Sequence, residues 1–449
     1  MSVEIEAVVD DGLGHSSYVV GLGDGTALVV DPARFPDRQR TIAAERGWRI
    51  AWTADTHSHA DYISGSTELA TEGATFLASR GAGLEPEHQP VDPGDVIALA
   101  PDVELRAIAT PGHTPDHLAY LLVVDGQAHA LFTGGSLMVG AVGRTDLLGE
   151  EHREELARAL FRALQHEILP LPDDLAVYPT HGAGSFCSAP SGSARTTTVG
   201  TERRDNPLLR IDDEDDFVAE LLAGLGTFPT YFRQLPERNR LGPRLYDEPP
   251  ELAGLTLEAF RREVAAGAVV VDARPIARFG EAHLPGSLSI EHRSVFGSWL
   301  GWLVPLDQPI VFVLDDKVDR RALVRDSLRI GHERLLGELD GGIDTWRAAG
   351  LPLASVPLVQ PAALAGVALD VRQDSEWAAG HVPGAHHVEL GALVDAVVPE
   401  GLVTVMCGHG ERAMTGASIL LRSGRDDVVV LAGGPDDLAA AIGVALERS

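Results

Sequence analysis

The fold of the first half of the chain is indicated by the run Thr56-His57-Ser58-His59-Ala60-Asp61-Tyr62. It places two histidines and a carboxylate within five residues, directly after residues 48–54, which we predict to form a strand. Imidazoles two residues apart at the end of a strand can point into one cleft and share a metal ion. The run therefore predicts a metal site carried by a loop at a sheet edge.

The surrounding sequence alternates strand-like and helix-like segments. We predict strands at 18–20, 27–30, 105–109, 118–124, 130–132 and 176–178, and helices at 149–166 and 214–224. Each further histidine motif directly follows one of these strands, which fits a site built from loops at one sheet edge. Residues 228–250 are rich in Pro, Arg and Asn and are predicted to form an ordered linker.

Composition excludes several classes of partner. The 449 residues carry a formal charge of −30, from 36 basic and 66 acidic residues, which argues against binding to nucleic acid or anionic lipid. No apolar run approaches the roughly 20 residues of a membrane span, and no secretory signal is evident, so we expect a soluble cytoplasmic protein. The two cysteines, Cys187 and Cys407, are too far apart for a disulfide framework and are treated as separate thiols.

The last 200 or so residues contain an internal repeat, judged from its spacing. The matched motifs are Asp272-Ala273-Arg274 with His283-Leu284-Pro285-Gly286, and Asp370-Val371-Arg372 with His381-Val382-Pro383-Gly384. The aspartate-to-histidine separation is 11 residues in both, 272 to 283 and 370 to 381. Each unit closes with Gly-Gly, 26 residues after the end of an apolar strand, 315 to 341 and 407 to 433. We predict two copies of one α/β domain, copy one at 251–356 and copy two at 357–449.

The copies differ at the loop after the apolar strand. Copy two reads Cys407-Gly408-His409-Gly410-Glu411-Arg412 and then enters a predicted helix, whereas copy one has Asp315 in place of the cysteine. Successive backbone N–H groups in such a turn form an anion cradle, and the helix dipole adds positive potential. Both effects favour the thiolate, so Cys407 is predicted to be a nucleophile that copy one lacks.

This tail resembles a tandem rhodanese: an aspartate-ended strand, His-x-Pro-Gly, Cys-x-x-Gly-x-Arg and a late Gly-Gly. The resemblance implies that Cys407 takes up a sulfane sulfur as a persulfide and passes it on. The loop amides of 408–411 and Arg412 would stabilise the charged sulfur. The six-residue span from Cys407 to Arg412 favours sulfur over phosphate chemistry, and Gly408, where many thiosulfate-using relatives have a basic residue, argues against thiosulfate. The alternative is an inert buried cysteine on a vestigial fold.

The first 250 residues are similar to the metallo-β-lactamase superfamily, an αββα sandwich. The motifs are the opening run, Pro111-Gly112-His113-Thr114-Pro115-Asp116-His117, Phe132-Thr133-Gly134-Gly135-Ser136-Leu137, Gly143-Arg144-Thr145-Asp146-Leu147 and Tyr178-Pro179-Thr180-His181-Gly182-Ala183-Gly184-Ser185. With Thr198-Val199-Gly200-Thr201-Glu202-Arg203, they look closer still to persulfide dioxygenases fused to rhodanese domains. In that family iron oxidises a thiol persulfide to thiol and sulfite. The expected fold is α/β: this sandwich at 1–250, with its linker, followed by two rhodanese-like domains.

The metal ligands implied by the resemblance are incomplete. The family's iron would be held by His57, His113 and an aspartate at the position of Gly135, so the usual two-histidine, one-carboxylate set has lost its carboxylate. A second metal would need Asp61, a histidine in place of Tyr62, the same aspartate and His181, and these losses argue against a two-zinc hydrolase. Three outcomes remain: His57, His59 and His113 hold one iron or zinc ion; Asp61 or Asp116 completes the site; or the domain binds no metal.

Two hypotheses about function follow. In the first, Cys407 is the nucleophile of a sulfurtransferase, coupled to a first domain that binds or oxidises a low-molecular-weight thiol persulfide at one iron or zinc ion. In the second, the first domain and copy one are silent and form a binding or scaffold module around one rhodanese; a mononuclear zinc hydrolase is a further alternative. Resemblance leaves open a homodimer. The sequence leaves open the roles of Cys187 and Tyr62.

Overall fold

The computed structural model describes residues 3–182, 184–187 and 194–448. The chain folds into two compact units: Met1–Pro249 with Leu328–Gly331, and Pro250–Ser327 with His332–Ser449. Within the described residues, none of the helices is both long enough and apolar enough to cross a membrane.

The first unit is built on two six-stranded sheets formed by described residues. The first contains β1 (Glu4–Asp10), β2 (His15–Gly21), β3 (Thr26–Val30), β4 (Arg49–Ala54), β5 (Thr75–Ser79) and β6 (Gln89–Val91), adjacent in that order. The second contains β7 (Val96–Ala100), β8 (Val103–Ala109), β9 (Leu118–Val124), β10 (Gln127–Gly134), β13 (Ala176–Pro179) and β14 (Thr197–Thr198), again adjacent in that order, and β11 (Leu137–Met138) pairs with β12 (Ala141–Val142).

Helices cover the outer faces of these sheets. They are α1 (Asp37–Arg46), α2 (Ser66–Thr71), α3 (Arg153–Ala163), α4 (Val199–Asp205) and α5 (Glu214–Ala223), whereas α6 (Leu235–Leu241) lies against the loop that follows β4. One buried apolar cluster joins the inner faces of the two sheets, for example Tyr18 and Val30 with Leu122 and Phe132. Another packs α3 and α5 on the second sheet, and a third contains residues of α1 and α2 with the first sheet. These layers are an αββα sandwich.

The histidine motifs occupy loops that leave four strands. Residues 56–62 follow β4, residues 110–117 follow β8, Gly135 follows β10 and His181 follows β13. Alternating apolar residues keep these strands in the core, so the polar residues begin where the strands end. The segment predicted to be a linker contains α6, and Asn239 of this helix donates through Nδ2 to the carbonyl oxygens of His59 (2.8 Å) and Tyr62 (3.0 Å). It thus holds the backbone of the opening run.

The second unit contains two parallel five-stranded sheets. Copy one has β15 (Gly254–Leu255), β16 (Val269–Asp272), β17 (Leu288–Ser289), β18 (Ile310–Val313) and β19 (Leu335–Leu339), with α7 (Leu257–Ala265), α8 (Ile276–Glu281), α9 (Phe296–Leu303), α10 (Arg320–Arg329) and α11 (Gly342–Ala348). Copy two has β20 (Leu358–Val359), β21 (Val367–Asp370), β22 (His386–His387), β23 (Val403–Met406) and β24 (Val428–Leu431), with α12 (Asp374–Ala379), α13 (Glu411–Arg422) and α14 (Pro435–Ile442).

The two sheets have the same strand order. Copy one is ordered β15-β19-β18-β16-β17 and copy two β20-β24-β23-β21-β22, so each strand has a counterpart in the other copy. The central strands β18 and β23 are fully buried, as their continuous apolar runs require. The predicted fold class, a sandwich followed by two α/β copies, is confirmed.

Candidate functional site

Three histidines from three loops converge at the sheet edge of the first unit. One ligand atom from each of His57, His113 and His181 lies within 4.8 Å of the others, and all three residues are buried. Nε2 of His57 is 3.4 Å from Nε2 of His181. Two further groups of potential ligands share these residues: Asp31 with His57 and His59, and Asp61 with His59 and His181.

The proton positions on His57 and His113 follow from their neighbours. The Thr56 hydroxyl donates its only proton to Asp31 (2.8 Å), so it accepts from Nδ1 of His57, which is 2.8 Å away. Nδ1 of His113 donates to the carbonyl oxygen of Arg144 at 2.9 Å. Both rings therefore carry their proton on Nδ1 and a lone pair on Nε2.

His181 is oriented by a carboxylate. Its Nδ1 lies 3.4 Å from Oδ2 of Asp61, and neither oxygen of Asp61 has a hydrogen-bond partner among the described residues. Burial by itself raises the pKa of a carboxyl, but the His181 imidazole outweighs it and lowers the pKa of Asp61 to about 2. The ionised Asp61 favours a proton on Nδ1 of His181, and with the ring neutral its Nε2 carries the third lone pair.

These three rings fit a metal ion. Burial lowers the pKa of His113 to about 3 and that of His57 well below its ordinary value, so both rings remain neutral ligands. Nε2 of His113 has no hydrogen-bond partner among the described residues, although it is buried. Each Nδ1 faces an oxygen, the arrangement that orients histidines bound to metals. The donor set, three imidazoles, suits zinc or iron.

His59, a predicted ligand, has other partners in the structure. Its Nε2 lies 3.2 Å from Oδ1 of Asp31 and 3.2 Å from the Tyr62 hydroxyl. Burial opposes a charge on this ring, but Asp31 outweighs it and raises the pKa of His59 to about 9. The ring of Tyr62 stacks between the rings of His59 and His15, with centroids 4.4 Å away on each side. His59 is therefore paired with a buried carboxylate through Nε2, while its buried Nδ1 has no hydrogen-bond partner among the described residues.

The remaining residues of the motifs are satisfied by local hydrogen bonds. Asp116, one of the carboxylates considered for the site, accepts from the backbone N–H (3.1 Å) and the hydroxyl (2.9 Å) of Ser58. Nε2 of His117 accepts from the N–H of Gly135 at 3.0 Å, and its Nδ1 lies 2.7 Å from the Thr110 hydroxyl. Both nitrogens of His117 thus have partners, and the two hydrogen bonds from Ser58 hold Asp116 through its Oδ2.

The space of the absent carboxylate is occupied. A Cβ atom at Gly135 would lie 2.3 Å from Cδ2 of His113, far inside contact distance. The ring of His113 therefore fills the position that the first atom of an aspartate side chain would take. The ring of His113 can occupy this position only because residue 135 has no side chain.

Two residues that organise the centre were not predicted from the sequence. Asp31 accepts hydrogen bonds from the backbone N–H and hydroxyl of Thr56 and from the Thr180 hydroxyl, and it pairs with His59. Asn239 was missed because it lies in the segment predicted to be a linker. Asp31 could have been predicted, because it directly follows the apolar strand β3, and the histidines were chosen for the same position after a strand. In the structure its φ of 51° is unusual for a residue other than glycine.

In the second unit, Cys407 directly follows β23 and precedes α13. The N–H of Gly410 donates to the sulfur of Cys407 at 3.1 Å, and Gly410 has a φ of 113° that favours glycine. Cys407 is 1% exposed, while Gly408 is half-buried and His409 is exposed. A sulfur donor must therefore approach past Gly408 and His409, with movement of this loop.

Arg412 does not hydrogen-bond to the sulfur. Its Nη1 and Nη2 donate to Oε2 and Oε1 of Glu376 at 2.5 and 2.8 Å. In copy one, Arg320 has the same loop position and donates through Nε and Nη2 to Glu338 at 3.0 and 2.9 Å, although this glutamate lies in β19 and not in a helix like Glu376. The loops of both copies thus end in an arginine–glutamate pair, but only one contains a thiol.

Cys187 is fully buried in the first unit. Its carbonyl oxygen accepts from the N–H of Arg144 at 3.3 Å. Burial, reinforced by the nearby charge of Asp61, raises the pKa of the Cys187 thiol well above its ordinary value, so it remains protonated at neutral pH. Part of the loop that follows, residues 188–193, lies outside the described residues.

The chain is similar to proteins of two kinds. The family model for the rhodanese-like domain matches residues 256–349 and 359–441. A hydroxyacylglutathione hydrolase of Polaromonas sp. (strain JS666 / ATCC BAA-500) is 34% identical over 162 residues, 35% of this chain and 57% of that protein, so the chain spans little more than half of that relative. The mitochondrial persulfide dioxygenase ETHE1 of Homo sapiens is 30% identical over 192 residues, 42% of this chain and 68% of that protein.

A solved structure extends the likeness. A metallo-beta-lactamase from Staphylococcus aureus subsp. aureus COL superposes with a TM-score of 0.66 at 26% sequence identity. The match covers 76% of this chain and 99% of that one.

Proposed function

Because the chain belongs to the family of metallo-β-lactamase-fold persulfide dioxygenases fused to rhodanese domains, we propose that it is a sulfurtransferase of sulfane-sulfur metabolism. Cys407 is its nucleophile, and a low-molecular-weight thiol persulfide is its donor. The single observation that supports this most directly is the N–H of Gly410, 3.1 Å from the sulfur of Cys407 at the start of α13. That amide and the helix dipole favour the thiolate.

The transfer step conserves electrons. The thiolate of Cys407 attacks the outer sulfur of a hydropersulfide, RSSH; a new S–S bond forms as the donor's S–S bond breaks. The thiol RSH leaves with the donor's proton, and Cys407 retains one extra sulfur as a persulfide. The amide of Gly410 contacts the attacking sulfur, and Arg412, in the first turn of α13, closes the loop through its two-point pair with Glu376.

The first unit is proposed to bind one metal ion through His57, His113 and His181. Asp61 and Arg144 would orient two of the rings through Nδ1, and Asp31 would keep His59 out of the coordination sphere as its ion-pair partner. An iron ion there would supply the oxidation of a persulfide by dioxygen, RSSH + O2 + H2O giving RSH, sulfite and two protons. A zinc ion would instead support a mononuclear hydrolase, and no metal at all a scaffold role.

Two measurements test the proposal. Purified protein treated with cysteine hydropersulfide should gain the mass of one sulfur atom on Cys407, and Cys407→Ser should abolish this gain while Cys187→Ser retains it. Sulfur loading that persists in Cys407→Ser would remove this residue from the mechanism. About one iron per chain, with oxygen uptake on adding persulfide, supports oxidation in the first unit; zinc without oxygen uptake supports the hydrolase, and metal-free protein the scaffold.

A further inference from the structure

The charges around Cys407 do not favour an anionic donor. Arg412 is the basic side chain of the loop, and both of its terminal nitrogens are bound by the carboxylate of Glu376. The arginine side chain is 17% exposed and the glutamate 38%. Glu411, also in the loop, has no ion-pair partner among the described residues. The loop and the glutamate paired with it therefore contribute two carboxylates and one guanidinium.

Glu376 is held in this position by its own helix. It lies in the first turn of α12, and its Oε2 also accepts from the backbone N–H of Gln373 at 3.2 Å. The glutamate side chain is therefore fixed at two points, by the N-terminus of α12 and by the guanidinium of Arg412. A two-point pair of this kind restricts the arginine to one direction as well as reducing its charge.

The position beside the thiol is open but carries no charge. A Cβ atom at Gly408 would have Arg412 Nη2, at 3.7 Å, as its nearest neighbour, which is ordinary contact distance. The φ of Gly408 is outside the left-handed range, so a larger residue fits the backbone. The chain thus has room for a second cationic side chain next to Cys407 and does not place one there.

We propose that Glu376 is a specificity-determining residue: by holding Arg412 in a two-point ion pair, it makes the Cys407 loop select organic hydropersulfides over dianionic sulfur donors such as thiosulfate. A dianion would approach a thiolate and an excess of carboxylates with no free guanidinium to receive it. The reacting group of a hydropersulfide brings one negative charge at most. This inference rests on the proposed sulfur transfer and names the residue that sets its donor selectivity.

Donor selectivity of the first half-reaction tests the inference. The rate at which Cys407 gains one sulfur is measured by intact-protein mass with thiosulfate and with cysteine hydropersulfide, for the full chain. We expect the wild type to load from hydropersulfide at least about tenfold faster than from thiosulfate. Glu376→Gln keeps an oxygen for the N–H of Gln373. In this variant the rate with hydropersulfide divided by the rate with thiosulfate should fall about tenfold.

The second copy of the loop supplies a matched control. Glu338→Gln breaks the corresponding pair with Arg320 in the copy without a thiol, and we expect the ratio of rates to stay at the wild-type value. Gly408→Arg adds a cation in open space and should shift the ratio of the two rates in the same direction as Glu376→Gln. It therefore tests the inference separately where Glu376→Gln folds poorly. Equal loading of the wild type from both donors, or an equal change of both rates in Glu376→Gln and in Gly408→Arg, would overturn the inference. Loading from neither donor would instead contradict the proposed function.

Discussion

Nε2 of His57 and Nε2 of His181 lie 3.4 Å apart, and each is the nitrogen opposite the one that faces an oxygen acceptor. Two lone pairs at this distance repel each other unless a cation lies between them. The third lone pair, on Nε2 of His113, has no hydrogen-bond partner among the described residues. A metal ion would satisfy all three nitrogens at once, and this gives the first two predictions.

His181, rather than His59, is expected to be the third imidazole ligand. His181→Gln should therefore lose most of its bound metal, a larger effect than the roughly 10- to 100-fold weakening caused by loss of an outer partner. His59→Gln should retain metal, although it leaves the carboxylate of Asp31 without its ion pair. Metal content per chain, measured by mass spectrometry after purification with iron or zinc, gives the comparison, with the exposed His129→Gln as control. Full retention of metal by His181→Gln together with loss in His59→Gln would reverse this assignment.

Asp61 should act on the metal through His181. Asp61→Asn preserves the shape of the side chain but removes the charge that lies 3.4 Å from Nδ1 of His181. We expect metal affinity to fall about 10- to 100-fold, as for other outer-shell carboxylates. Competition with a chromogenic chelator measures this change without any assay of activity. Unchanged affinity would show that Asp61 does not polarise the ring.

Restoring an aspartate at position 135 should not repair the site by itself. The first atom of the new side chain would lie 2.3 Å from Cδ2 of His113, so the ring must move. We expect Gly135→Asp to lower the free energy of unfolding by about 1–3 kcal/mol through overpacking and to reduce bound metal. The exposed Gly226→Asp, where a Cβ atom meets nothing, is the control. A rise in bound iron with unchanged stability would mean that the lost carboxylate is the main defect.

The sequence predicted much of this molecule because its signals are local. The apolar runs before each motif located the strands, and the matched spacing of two motifs in the tail predicted a repeat whose sheets have the same strand order. The position of Cys407 after an apolar strand was readable in the same way. These features depend on residues close together in the chain.

What the sequence did not predict depends on contacts between distant segments. Whether His59 or His181 is the third proposed metal ligand depends on two carboxylates: Asp31 pairs with His59, and Asp61 lies beside His181. These contacts depend on the relative positions of three loops. The ring of His113 fills the space at Gly135 because β10 and the loop after β8 pack closely. The pairing of Arg412 with Glu376 joins residues 36 positions apart. No spacing rule contains this information.

The two cysteines should differ in reactivity. Burial and the charge of Asp61 raise the pKa of Cys187, so its reactive thiolate is scarce at neutral pH. We expect iodoacetamide to modify Cys407 in the native protein, through movement of the loop at Gly408, and to modify Cys187 only after unfolding. Peptide mapping of alkylated protein, native and urea-unfolded, distinguishes them. Native modification of Cys187 ahead of Cys407 would contradict both the burial and the proposed access route.

His283 in copy one should contribute a measurable pH dependence to stability. Burial lowers the pKa of this imidazole, whose Nδ1 donates to the carbonyl oxygen of Phe279 at 2.9 Å and whose ring stacks on that phenyl ring at 3.9 Å. In the unfolded chain its pKa returns to about 6.5, so below that pH the unfolded state binds a proton that the folded state does not. Its contribution is therefore fully present above about pH 6.5 and is lost as the pH falls towards the lower folded pKa.

The variant His283→Gln isolates this contribution, because glutamine keeps a donor for the carbonyl oxygen of Phe279 but does not titrate. The measurement is protection from hydrogen exchange in β16 and β18 at about pH 7.5 and at about pH 5.5, corrected for intrinsic exchange. We expect the loss of protection between these pH values to be smaller in His283→Gln than in the wild type. The exposed His129→Gln should behave as the wild type. If wild type and His283→Gln lose protection in parallel, the proton uptake responsible lies on other groups.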